Sequence, residues 1–298
     1  MKKYARRQTL ERLKILNAAL REAADDPKDA EAIHDLRVAI RRFVQCLKVF
    51  QQFFDSRAAH KIRRRLSKLM DRCADARNCD IALDLLRESG TEDANLAESI
   101  KASRDAAEQV LAGNLKRWRR RSIHKTWPER LEAPVRGGMW DTRRPPFDAV
   151  RRALPKLAVR FFAAGNSAAA PKATPHMMHR FRIRAKQFRY TLEIFEPLYG
   201  LDLTDHLHAM RALQDKLGRL NDCVTSQELV RDNAEAVAAL ARRAERCETE
   251  FRAQWTRHFD ATARKRWKAW LAGKAASELK KKEPHADLHP QARRSRTA

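Results

Sequence analysis

Histidine and arginine three residues apart, with a further cation four residues on, occur twice in the chain: His34, Arg37 and Arg41, then His179, Arg182 and Lys186. Lys48 extends the first set and Arg189 the second. At about 100° per helical residue each set falls in one narrow sector. Such a sector presents charge-assisted donors to an anion, the guanidinium as a planar fork and the ammonium as a point charge. Each imidazole adds one neutral hydrogen bond, or two donors and a charge once protonated, so anion binding is expected to take up protons near neutral pH. Neither histidine has a second His or a carboxylate at i+3 or i+4, which disfavours a metal site.

Both sets border an apolar stripe. Ile33, Leu36, Ile40, Phe43, Leu47 and Phe50 repeat as Met178, Phe181, Ala185, Phe188, Leu192 and Phe195, each with spacings 3, 4, 3, 4, 3. One buried face per helix follows. The segments IHDLRVAIRRFVQCLKVF and MHRFRIRAKQFRYTLEIF lie 145 residues apart, and downstream CADARNC at 73–79 matches LGRLNDC at 217–223 with an offset of 144. The chain therefore contains two related helical units.

Periodicity predicts helices at about 2–24, 28–54, 57–72, 76–89 and 94–121, then 147–164 (kinked at Pro155), 176–196, 202–217, 221–242 and 245–272. Pro128, Pro134, Gly137, Gly138, Pro145 and Pro146 mark the tract from Trp127 to Pro146 as linker or long loop, and Gly165–Pro175 reads as a second loop. The expected organisation is a first repeat over 1–130, a Pro/Gly-rich linker over 131–146, a second repeat over 147–275 and a mobile basic tail over 276–298.

Composition agrees with an all-α fold: 298 residues, 43% hydrophobic, with only 8 Gly and 11 Pro. The net charge of +25 calls for phosphate-rich partners, whether nucleic acid, an anionic surface or another polyanion. Five cysteines without CxxC spacing are expected to be reduced and buried. No run approaches the roughly 20 apolar residues of a membrane span, so a cytoplasmic protein without membrane association is expected. No P-loop, GxSxG or two-metal carboxylate cluster occurs, and Glu248-x-Glu250 sits in a helical pattern that would splay its carboxylates. Neither catalysis nor a cofactor is expected.

The blocks HDLRVAIRRF, HRFRIRAKQFRYTLEIFEPLYG and LQDKLGRLND resemble the repeated signatures of the CHAD family, over roughly residues 5–270. The resemblance implies two related four-helix bundles facing each other around a basic central channel. It implies non-catalytic binding of inorganic polyphosphate, on polyphosphate granules or as an adaptor, with a CYTH-type triphosphatase as a possible companion. The expected contacts are His34, Arg37, Arg41, His179, Arg182, Lys186 and Arg189, with Arg42, Lys48 and Arg184 outside them. Arg64, Lys68 and Arg72, which share a face at spacings of four, join the expected surface. Asn78, in place of the family's usual acidic residue, puts a helix-terminal hydrogen bond or ion pair in question, and Gln187, against Arg42, weakens one cationic contact. Two rival readings are a basic helical protein binding nucleic acid, expected only non-specifically, and a scaffold for an acidic protein partner.

Overall fold

The computed structural model describes residues 1–91, 93–132, 139–199 and 203–273. Among them the chain is helical throughout: α1 (Lys2–Asp25), α2 (Ala30–Val49), α3 (Ser56–Ser89), α4 (Ala94–Arg119), α5 (Ile123–Leu131), α6 (Pro146–Ala169), α7 (Pro175–Tyr199), α8 (Thr204–Leu229), α9 (Ala234–His258) and α10 (Ala261–Leu271). A 3-10 turn at Gln51–Phe53 and an isolated bridge between Phe54 and Glu132 complete the described structure. No described helix is long and apolar enough to cross a membrane.

Four helices close a bundle in each half. In the first, α1 packs on α2 and α4, and α3 on α2 and α4; in the second, α6 packs on α7 and α9, and α8 on α7 and α9. The stripes that repeat in the sequence are the buried faces of α2 and α7, with Leu36, Phe43 and Leu47 in one and Phe181, Ala185 and Phe195 in the other fully enclosed. The halves join where α2 meets α7 and α3 meets α8 and α9. That joint sets two equivalent cation-bearing helices side by side.

Helix boundaries depart from the periodicity in several places. Residues 57–89 form one helix, α3, capped by the Asp55 carboxylate on the Ala58 amide, with Gly90 in the left-handed conformation ending it. Helix α8 likewise runs unbroken past Asn221, and the true breaks fall at Asn233 and Asp260, whose side chains cap the Ala236 and Ala263 amides. Such caps satisfy amides that the first helical turn leaves without partners. Helix α6 extends through Gly165 to Ala169, and glycine at 165 leaves room for the Trp255 indole, which occupies the space a side chain there would need.

The tract expected to be a loop begins as helix α5, which spans Pro128 and buries Ile123, Trp127 and Leu131 at spacings of four. Trp127 stacks on Phe43 at 5.8 Å. Further on, the Trp140 indole donates to the Val49 carbonyl at 2.7 Å, and its backbone pairs with the Gln52 amide in both directions. The part of the linker at 133–138 and the tail from 276 lie outside the described residues.

Candidate anion-binding cleft

At the joint between the bundles lies a cleft of about 190 Å³, with Arg37 and Arg41 from α2, Arg77 from α3, Arg182 and Lys186 from α7, and Asp222 from α8 among its walls. Their positions follow from the stripes. Arg37, Arg41, Arg182 and Lys186 each sit one residue past a buried apolar position, so their stems are covered by the joint while their heads enter the cleft, and Arg77 reaches it from the exposed side of α3.

The cations are held differently. One Arg37 nitrogen donates to the Cys73 carbonyl at 2.9 Å, and Arg41 Nε donates to the Tyr190 hydroxyl at 3.1 Å. Arg182 Nε is buried with no hydrogen-bond partner. A buried donor left unpaired is costly, and arginine cannot shed its charge to escape the cost.

Electrostatics concentrates on Lys186. Burial, then the guanidiniums of Arg182 and Arg41, push its ammonium down to about 7, against an opposing pull from Asp222. Burial also lowers Arg37 and Arg182, each with Arg41 adding to the effect. Asp222 moves upward, since burial outweighs Arg182 and Lys186. Two further carboxylates line the cleft, Asp80 and Glu108, and both are taken by Arg104, at 2.6 and 2.9 Å. The remaining charge is strongly positive in a confined space, which favours an anion with several oxygens.

Of the residues read from the sequence, Arg37, Arg41, Arg182 and Lys186 come together, with His34 exposed at the edge. His179 is exposed and shares a 2.8 Å hydrogen bond between its Nδ1 and Asn221 Oδ1. Arg189 is committed inside the protein: its Nε donates to Gln214 at 2.7 Å, another nitrogen pairs with Glu193, and its guanidinium lies over the Tyr190 ring. Arg42 Nε meets the same Glu193 at 3.0 Å. Lys48 and Arg184 line a different groove, on the other flank of α7. Arg64 and Lys68 stand exposed on α3, and Arg72 pairs with Asp75 at 3.5 Å. None of these three lines the cleft.

Arg77 and Asp222 were not among the expected contacts, yet the duplicated blocks at 73–79 and 217–223 hold both. Arg77 takes the place of Asn221, and Asn78 that of Asp222. Both blocks lie in helix interiors, so the helix-terminal role considered for Asn78 does not apply. The decoy carboxylates diverge as expected: Glu248 pairs with Arg252 and Glu250 with Lys216.

Comparison with solved structures finds the same arrangement of helices. PptA from Streptomyces chartreusis aligns at a TM-score of 0.59 and 15% identity, over 93% of this chain and 99% of that one. The CHAD domain from the plant Ricinus communis aligns at 0.57 and 23% identity, over 91% of each chain. No curated protein sequence matches. The CHAD domain family itself matches residues 7–231, from α1 through α8, which takes in the first bundle, three helices of the second and the residues that line the cleft. The chain belongs to the CHAD domain family.

Proposed function

We propose that the cleft binds inorganic polyphosphate as the narrow part of a basic channel, and that the protein is a non-catalytic polyphosphate binder, on granules or as an adaptor. The observation that carries this reading is the buried, unpartnered Nε of Arg182 in a pocket shared with Arg37, Arg41 and Lys186. A linear chain of phosphates supplies acceptor oxygens at short intervals to all four and fits a confined cleft, whereas the wide duplex of DNA does not enter it. His34 and Arg77 then continue the contact outward. A CYTH-type triphosphatase acting on the same polymer is the companion this reading favours.

Titration calorimetry with a short linear polyphosphate tests it. Losing two charge-assisted contacts in Arg41→Ala/Lys186→Ala weakens binding by at least about a hundredfold, while Arg64→Ala/Lys68→Ala, on the exposed face of α3, changes it by no more than about threefold. Equal loss in both variants, or equal competition by duplex DNA at matched phosphate, overturns the reading.

A further inference from the structure

On the flank of α7 opposite the cleft, a groove of about 740 Å³ runs between α6 and α7 and is closed at one end by α2. Arg184 lies about 200° around α7 from Arg182, so one helix separates the two sites. Helix α6 presents Leu157, Arg160, Phe161 and Ala164 to this groove, and α7 presents Arg184, Gln187, Phe188 and Thr191. Both are i, i+3, i+4, i+7 sets, the surface that an incoming helix needs on either side of it.

The groove has an apolar floor and a cationic rim. Buried Phe161, Phe188 and Val49 underlie the groove, and its accessible apolar surface comes from half-buried Leu157 and Ala164 and from Met139, which is exposed despite its size. Every ionisable residue among the lining is a cation: Lys48, Arg160 and Arg184, and none of the three makes an ion pair among the described residues. A phosphate chain gains nothing from the apolar floor, and a purely apolar segment would leave the cations unmatched.

We propose that the α6/α7 groove is a docking site for an acidic amphipathic helix of a protein partner, its apolar stripe on Leu157, Ala164 and Met139 and its Asp or Glu side chains against Lys48, Arg160 and Arg184. The site stands apart from the polyphosphate cleft and works whether or not that cleft is filled. It gives the protein two faces, one for a polyanion and one for a partner.

A fluorescent helical peptide of about 18 residues, with Leu at i, i+3, i+4 and i+7 and Glu on the flanks, serves as probe with the full chain. Its anisotropy titration is expected to show binding at least about tenfold tighter than for a scrambled peptide of the same composition. Arg160→Glu/Arg184→Glu reverses two rim charges, and Ala163→Trp blocks the exposed side of the groove without changing charge; each weakens binding by about tenfold or more, with melting curves confirming the fold. Arg41→Ala/Lys186→Ala leaves peptide binding intact, and both groove variants keep polyphosphate affinity. Equal binding of the scrambled peptide, or full binding by the groove variants, overturns the proposal. So does loss of polyphosphate affinity in Arg160→Glu/Arg184→Glu, which makes the groove part of the polyanion path, or rim-dependent pelleting with phosphatidylglycerol vesicles in the absence of peptide binding, which assigns it to lipid.

Discussion

Lys186 is the residue in the cleft whose charge is open to change at physiological pH, because burial and its arginine neighbours bring it down to about 7. A bound phosphate chain favours the ammonium, so binding takes up a proton and tightens as pH falls through neutrality. Between about pH 8 and 6 the affinity should rise by up to about tenfold per unit, and Lys186→Met should flatten that slope. In the empty protein the sign reverses: a lysine depressed on folding takes protons from the unfolded side, so stability rises with pH from about 7 to 10, less steeply in Lys186→Met. Thermal melts across that range check it. Arg189 makes the contrasting case, for its partners are Gln214, Glu193 and the Tyr190 ring. Arg189→Ala should cost about 1–3 kcal/mol of stability by denaturant titration, while polyphosphate affinity moves by about twofold or less. Sequence spacing groups Arg189 with Lys186, although Glu193 at i+4 on the same helix already offered it a partner, and the contact with Gln214 of α8, which makes it an internal strut, required the fold.

At the scale of helices, the repeats were legible because duplicated apolar stripes must be duplicated buried faces. Periodicity placed α2 and α7 correctly and with them the four central cations. It failed at the ends of helices, where a single cap outweighs several residues of pattern. Asp260 and Asn233 begin helices in regions that read as continuous, and the 217–221 block continues one that read as broken. Asp260→Ala should therefore cost about 1 kcal/mol, visible as a lowered denaturation midpoint, by freeing the Ala263 amide. The start of the Trp127–Pro146 tract misled for a different reason: at 127–131 the breaker Pro128 was overruled by the burial of Trp127 in α5, which depends on Phe43, a partner far away in sequence, while 139–145 is turn and bend as read. Gly165 shows the same dependence. Read locally it ends a helix, but in the fold it makes room for Trp255, and Gly165→Leu should cost about 3 kcal/mol or more by overpacking that contact.

For the molecule as a whole, an excess of 25 positive charges repels itself, and the cleft where the two bundles meet confines several of those cations. Polyphosphate should relieve that repulsion, raising the melting temperature as its concentration rises above the dissociation constant, and the gain should shrink with added salt as counterion release loses its advantage. The resemblance read from the sequence and the fold now on the page agree on a two-bundle architecture; the cleft between the bundles required the structure, because its walls come from five helices and from residues as distant as Arg37 and Asp222. That cleft is the centre of the account, and a crystal structure with a short linear polyphosphate examines it most directly. The account predicts phosphate oxygens within hydrogen-bond distance of Arg182 Nε and of the Arg37, Arg41 and Lys186 head groups. Polyphosphate ordered only along the exposed face of α3 at Arg64, Lys68 and Arg72, with the cleft filled by water, would contradict it.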